Sequence, residues 1–316
     1  MRSTRPPFFT VVVPLFNKAA HIGTTLASVA AQTFADHEVI VVDDGSTDDG
    51  PARVAAAYPA VRLIRQPNAG PGAARNRAID AARGTWLAFL DADDLWRPDH
   101  LARLAQVVAA CPDADVVATG FDRGETLGLS GPRRDGGEPR YVDYHRDYRL
   151  IWTSATAVRA AALHDARFGL AWPGEDVDLW VRLASRHRFA VHPAHTAVYV
   201  QRTGGAMDSQ ASAAAAVPIE RQPVFATMAV ILADPALADR HPAVAALRNA
   251  LLLDYVRPSL FNGQTALARS YLAALRRGGG RAPRLYRWLA LLPGPLAAFG
   301  SRSYGVIRRR IAGPAR

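Results

Sequence analysis

The chain has 316 residues, 49% of them hydrophobic and 21% charged, which excludes a disordered or collagenous protein and suits one large α/β domain with a smaller appendage. A single cysteine, Cys111, excludes an intrachain disulfide and any zinc site needing two or more thiolates, and it reads as a small buried residue in a helix. The net charge of +10 is uneven: residues 255–316 hold 12 arginines and no Asp or Glu, so a basic tail that points to an anionic surface, membrane or nucleic acid, follows a near-neutral body.

The opening MRSTRPPFFTVVVPLF runs straight into a strand-like segment without a small-residue cleavage site. No secretory signal is read there, and the expected compartment is the cytoplasm. Short runs rich in Val, Ile, Leu and Phe follow at residues 9–14, 38–42, 61–65, 86–90 and 115–119. Such runs suit strands buried on both faces. Helical patterns lie between them: Ile22, Leu26 and Val29 keep one face, and further helices are predicted over 71–82 and 98–110. The second of these has proline in its first turn, where the missing N–H costs nothing.

Residues 120–150 lack a clear period and read as a long surface loop. Helical patterns near 155–164 and 176–186 precede a strand pair near 189–191 and 197–202. Segment 203–214 is small and polar, and beyond it the chain is helical, broken at Gly278-Gly279-Gly280 and Pro293-Gly294-Pro295. The expected fold is therefore α/β, a mostly parallel sheet with flanking helices over 1–212, followed by a helical basic region over 213–316. Within the first domain, 1–119 forms the ligand-binding half and 120–212 the second half. Ligands in such folds sit at the carboxyl ends of strands, near a topological switch point.

Two acidic clusters stand at expected strand ends. Val41-Val42-Asp43-Asp44-Gly45-Ser46 closes one buried strand, and Leu90-Asp91-Ala92-Asp93-Asp94 closes another. Carboxylates are hard oxygen ligands suited to Mg²⁺ or Mn²⁺, ions that bridge protein to phosphate. Asp-Gly and Asp-Asp are also common turn formers, and Ser46 or Asp48 would serve equally to cap the next helix. Gly70-Pro71-Gly72 lets backbone N–H groups near a helix start face an anion, with Arg75 one turn on.

The stretches VVVPLFN (11–17), VVDDGSTDD (41–49), NAGPGAARNRAI (68–79), FLDADDLWRPDHL (89–101) and PGEDVDLWVRLA (173–184) resemble, in order and spacing, the family-2 glycosyltransferases of GT-A fold. The resemblance covers roughly two thirds of the chain. It implies an inverting enzyme that takes a sugar from a UDP- or dTDP-linked donor, with Mn²⁺ or Mg²⁺ as cofactor. Pro14 and Phe16 would border the base, Phe16 standing where tyrosine is usual, and Asp43 would accept from it. Asp44, Arg75 and Asp91 would lie along the nucleotide, and Asp93 would bind the metal.

Inversion needs a base opposite the leaving group. The resemblance gives that position to Asp176, with Glu175 placing it or the acceptor. Asp178 and Arg182 read as a helix-surface ion pair, and Trp180 either walls the acceptor site or packs in the core. Many relatives carry a metal-binding histidine in a Tyr-Arg-x-His element. Here the run is Tyr199-Val200-Gln201-Arg202-Thr203, so Arg202 is expected to assist the phosphates. His192 and His195 read as structural rather than ligating.

The acceptor class implied is a glycan or a lipid-linked glycan, as in surface polysaccharide assembly. The tail's longest uncharged run, residues 288–301, is broken by Pro293-Gly294-Pro295 and falls short of the ~20 apolar residues of a spanning helix. It reads either as an interfacial segment on an anionic membrane or as a packed helix with solvated arginines. Nucleic acid is the poorer partner, because no recognised motif accompanies the charge. Two other classes remain open, a metal-dependent nucleotidyltransferase and a non-catalytic nucleotide-sugar or membrane binder. The former offers no role for Asp176 and usually needs a lysine near the phosphates, and Lys18 is the sole lysine.

Overall fold

A computed structural model describes residues 5–124, 136–170, 174–200 and 217–298. The chain divides into two compact units, Met1–Thr203 and Gly204–Arg316.

The first unit is built on a nine-stranded sheet of order β3-β2-β1-β4-β8-β6-β9-β5, with β7 also paired to β9. Its opening half alternates β1 (Phe9–Leu15), α1 (Ile22–Ala30), β2 (His37–Asp43), α2 (Gly50–Ala57), β3 (Arg62–Arg65), α3 (Pro71–Ala81) and β4 (Trp86–Phe89). β1 pairs in parallel with β2 on one side and β4 on the other. The chain therefore winds outward from β1 to β3, then returns to lay β4 on β1's far side. The crevice at the ends of β1 and β4 is the switch point. Val11, Val12, Val13, Ile40, Val41, Val42, Ala88 and Phe89 are fully buried, which is why these strands read as unbroken apolar runs.

The second half mixes directions. It comprises β5 (Leu95–Trp96), α4 (His100–Ala110), β6 (Ala114–Gly124), β7 (Arg140–Val142), α5 (Tyr144–Asp147), β8 (Thr156–Arg159), α6 (Glu175–Ala184) and β9 (Arg188–Val200). β8 runs antiparallel between β4 and β6, while β6 and β9 are parallel. Cys111 is buried, as expected, but caps the end of α4 rather than lying within it.

Several expectations fail here. Residues 155–164 are not helical: a 3-10 turn, Thr153–Ala155, leads into β8, and a second, Ala160–Leu163, follows it. Thr156, Ala157 and Val158 are buried between two strands, and small apolar residues there fit either period, so tertiary pairing decides. The expected loop over 120–150 instead carries the end of β6, then β7 and α5. The expected strand pair at 189–202 is one strand, β9, whose pairing with β6 shifts register around Gly120. Pro98 lies ahead of α4 rather than in its first turn.

The second unit contains α7 (Pro223–Ala233), α8 (His241–Phe261), α9 (Thr265–Arg277) and α10 (Arg284–Leu289). Val244, Leu247, Leu252, Val256 and Leu260 of α8 are buried, as are Ala268, Tyr271 and Leu275 of α9. Tyr271 Oη donates to the Val217 carbonyl at 2.6 Å and accepts from Gln222 Nε2 at 2.7 Å, which satisfies a phenol that is otherwise inside. No helix among the described residues is long and apolar enough to cross a membrane.

Candidate active site at the ends of β1, β2 and β4

The loops leaving β1 and β2 are clasped together. Asn17 has a left-handed backbone (φ 50°). Its side-chain oxygen accepts from Thr47 N at 2.8 Å, and its own N–H donates to Ser46 Oγ at 3.1 Å. Asp48 accepts from Ala19 N at 2.8 Å and from Gly50 N at 3.0 Å. Ser46 and Asp48 are thus loop ties, Asp48 also holding the first N–H of α2, and the cap position itself falls to Asp49, whose side chain makes no capping bond. The clasp leaves Phe16 44% exposed beside half-buried Pro14, a ring held at the strand end with a face to solvent.

Asp43 and Asp44 are adjacent yet differently employed. Asp43 is buried, and its Oδ1 accepts from Ser46 N at 3.0 Å. Both oxygens of Asp44 are taken by the turn before α3: Gln66 Nε2 at 2.7 Å, Ala69 N at 2.9 Å and Gly70 N at 2.8 Å. Asp44 therefore shapes the approach to α3. Glycine is required twice in that turn: at Gly70 by its positive φ of 92°, and at Gly72 because any Cβ would strike the Gly169 carbonyl.

Arg75, on the first turns of α3, joins the two halves of the unit. Its guanidinium donates to Asp91 Oδ1 at 2.6 Å and to Glu175 Oε1 at 2.9 Å, with only 5% of the side chain exposed. Phe168 lies 5.1 Å from the guanidinium carbon, and Asn76, the next residue on α3, holds Phe168 there. The Asn76 side chain accepts from Phe168 N and donates to Phe168 O, both at 2.9 Å. Burial disfavours the charge on Arg75, but Asp91 and Glu175 outweigh it and hold the group firmly protonated. Burial raises the Asp91 and Glu175 carboxyls above their ordinary range. Arg75 opposes this in both, and the neighbouring Asp93 and Asp176 charges add to it, respectively.

Asp93 projects from the turn after β4 and meets Lys18 from the end of β1, Nζ to Oδ2 at 2.7 Å. Asp94 points the other way. It accepts from Ser154 Oγ at 2.6 Å, Trp152 Nε1 at 3.3 Å and Val200 N at 3.1 Å, and Ser154 Oγ in turn accepts from Asp91 N at 3.1 Å. Burial, then the charges of Asp91 and Asp93, pushes the Asp94 carboxyl well up. Asp94 thus fixes the acidic turn against β8's approach and the end of β9.

The second-half acids sit at the start of α6, which is capped by left-handed Gly174. Asp176 Oδ2 accepts from Thr153 Oγ1 at 2.8 Å, and Oδ1 accepts from Val177 N at 2.7 Å. Trp180 is core, edge-on to Phe89 and Phe168. Asp178 and Arg182 form the expected pair at 2.9 Å, but Asp178 is buried rather than on the helix surface. His195 pairs with Asp122 at 2.7 Å, and buried His192 accepts from Ala194 N. Arg202 lies outside the described residues.

Asp91, Asp93, Glu175, Asp176, Arg75 and Lys18 therefore converge on the switch point. The sequence reading missed Lys18, Asn76, Asp94, Thr153 and Phe168. For Asp94 a third acid in the cluster was a visible signal; for the others nothing local marks the role.

This sheet order, with carboxylates past adjacent strand ends, defines a GT-A-type nucleotide-sugar transferase fold. The chain belongs to glycosyl transferase family 2, whose model matches residues 10–164. Among curated relatives, the succinoglycan biosynthesis protein ExoO of Rhizobium meliloti is 50% identical over 102 residues, 32% of this chain and 29% of that protein. A PGL/p-HBAD biosynthesis glycosyltransferase of Mycobacterium bovis is 41% identical over 116 residues, 35% of this chain and 45% of that protein. The chain spans less than half the length of these relatives.

Among solved structures, S. aureus TarS 1–349 superposes with a TM-score of 0.59 at 20% identity, covering 98% of this chain and 93% of that one. The mannosyltransferase PcManGT of Pyrobaculum calidifontis, in complex with GDP-Man and Mn²⁺, gives 0.59 at 20% identity over 96% and 88%. Identity this low speaks for the fold alone.

Breaking a buried pair from one side leaves uncompensated charge, at a cost of about 3–5 kcal/mol. Arg75→Met is therefore expected to lower the unfolding free energy on that scale, and Arg75→Met with Glu175→Gln to recover part of it. Acids with raised folded pKa make the folded state bind more protons than the unfolded one, so their contribution to stability falls as pH rises above about 4. The Arg75→Met deficit should grow across that rise, and urea midpoints at pH 4 and pH 8 measure it.

Proposed function

We propose that the protein is an inverting glycosyltransferase, moving a sugar from a UDP- or dTDP-linked donor to a hydroxyl of a glycan or glycolipid acceptor. The observation that carries this reading is Arg75. It joins Asp91 at the end of β4 to Glu175 at the start of α6 and so brings the nucleotide-side carboxylates and Asp176 to one crevice. The names of ExoO and of the PGL/p-HBAD enzyme favour polysaccharide or glycolipid acceptors. TarS has been solved with UDP-GlcNAc and PcManGT with GDP-Man, which favours a nucleoside-diphosphate sugar as donor.

Phe16 and Pro14 offer the base an apolar wall, and Asp43 offers an acceptor to a base N–H. Asp91 would lie near the ribose. The residues present fit a divalent ion on charge grounds. Among the described residues, Asp91, Asp93, Glu175 and Asp176 gather around the two cations Lys18 and Arg75, an excess of acid that repels a diphosphate. Among the described residues no three acids or histidines are grouped to hold an ion alone. Asp93 would hold it, with donor phosphate oxygens and water completing the shell, as suits Mg²⁺ or Mn²⁺. Such an ion supplies positive charge against the departing diphosphate.

The chain's own residues do the rest. Thr153 fixes the Asp176 carboxylate, which takes the proton of the acceptor hydroxyl as that oxygen bonds to the anomeric carbon. The bond from that carbon to the diphosphate breaks on the opposite face, and nucleoside diphosphate leaves. Glu175, held by Arg75, is a positioning residue for this start of α6.

Nucleoside diphosphate release from a panel of nucleotide sugars tests the class; release of pyrophosphate, or of nothing, would overturn it. Asp176→Asn should keep donor affinity and lose turnover by about 10²–10⁴-fold. A fall below about tenfold moves the base elsewhere.

Asp93→Asn should abolish Mn²⁺-dependent donor binding in calorimetry while unfolding stays cooperative. Unchanged metal-dependent affinity would remove Asp93 from the ion. Lys18 competes with an ion for the Asp93 carboxylate, so Lys18→Gln should tighten Mn²⁺ binding to the nucleotide-free protein, read by the loss of free-Mn²⁺ paramagnetic resonance signal.

A further inference from the structure

The second unit holds a cavity of about 480 Å³ between the end of α9 and the start of α10. Leu272 and Leu275 supply its apolar lining, and Arg276, Arg281, Arg284 and Arg287 supply its charge. The walls are built rather than incidental. Gly280 N donates to the Leu275 carbonyl at 2.9 Å and Gly279 N to the Arg276 carbonyl at 3.0 Å, with Gly279 left-handed at φ 75°. This turn folds 281–284 back toward the last turns of α9. Arg269 Nη1 donates to the Ala290 carbonyl at 2.8 Å, tying the far end of α10 to the same helix. Arg284 and Arg287, three apart on α10, share one side of it.

Four arginines line one hollow, and this stretch of chain offers their like charge no acidic partner. Residues 255–316 contain no Asp or Glu, and none of the four forms an ion pair among the described residues. Arg276 near the C-terminus of α9 is favoured by the helix dipole, but Arg284 in the first turn of α10 is not. Helix stability therefore does not account for the set. Guanidinium forks suit phosphate oxygens and bind them in pairs of hydrogen bonds.

The surroundings select the source of the phosphate. Trp288, Leu291 and Leu296 follow directly in the chain and are 59%, 75% and 57% exposed. A soluble phosphate needs no apolar rim, whereas a lipid phosphate lies where tryptophan and leucine can enter the headgroup boundary. We propose that this cavity receives the phosphate of an anionic membrane lipid, with Trp288, Leu291 and Leu296 seated in the interface beside it.

The test uses the full chain and vesicles of phosphatidylcholine with or without one third phosphatidylglycerol. Co-sedimentation should be at least about tenfold stronger with phosphatidylglycerol and should weaken as salt shortens the Debye length below about 8 Å. Arg284→Gln with Arg287→Gln should lose about tenfold or more, and Trp288→Ala should lose part of the binding. Both variants should unfold at the wild-type temperature, because these side chains are exposed. Retained binding in the double glutamine variant would overturn the proposal. So would full competition by millimolar inorganic phosphate with Trp288→Ala unaffected, which would mark a soluble-anion site. Displacement from vesicles by a short single-stranded oligonucleotide at comparable concentration would give the cavity to nucleic acid instead. None of these readouts depends on sugar transfer.

Discussion

A buried guanidinium between two carboxylates, drawn from α3, the end of β4 and the start of α6, is the constraint on which the crevice depends. Arg75 is almost fully enclosed, so its desolvation must be repaid by Asp91, Glu175 and the Phe168 ring together. That requirement acts on the backbone. Asp91 is set by β4, Glu175 requires the left-handed entry at Gly174, and Phe168 requires the two Asn76 hydrogen bonds. Replacing such a triad with apolar residues of similar volume often leaves stability unchanged or improved. What an apolar triad would not do is hold charged groups in fixed register at a strand end.

Charge balance in the crevice follows from the same arrangement. Burial raises the carboxyls of Asp91, Asp94 and Glu175, and each acid's charge raises its neighbours' further. The site is therefore tuned to accept positive charge, and Lys18 supplies one on Asp93. A flexible ammonium on a four-carbon stem is a cation that can leave without breaking the backbone, unlike Arg75, whose fork is pinned at two carboxylates.

The legible part of this architecture was the part governed by local patterning. Strands β1, β2 and β4 are buried on both faces and spell themselves as apolar runs, and the acids that close them stand out by contrast. β8 was illegible because Thr156, Ala157 and Val158 carry no period that separates a buried strand from a buried helix turn. β9 read as two strands because Pro193 and the polar His192 and His195 interrupt its apolar run, yet the strand continues, with Pro193, Ala194 and Thr196 as its own extra residues while β6 steps regularly through Thr119, Gly120 and Phe121. Asp44 and Asp43 look equivalent in sequence; only the fold shows that one is spent on the Gln66–Gly70 turn. Lys18, Asn76 and Thr153 act across long sequence separations, and no spacing rule reaches that far.

The arginines of the second unit pose the converse problem, a charge pattern plain in sequence whose purpose only geometry constrains. A solvated arginine-rich helix face would distribute its charge around the surface, pair it with acids at helical spacing, or place it at C-terminal turns. Here the acids are missing from residues 255–316, one arginine stands at the unfavoured end of α10, and four of them line one hollow with a leucine floor. Each departure has an ordinary explanation when taken singly. Together they leave repulsion that an anion would relieve, and the exposed Trp288, Leu291 and Leu296 leave apolar surface that water does not favour. A lipid phosphate at an interface relieves both at once, whereas a soluble phosphate relieves only the first.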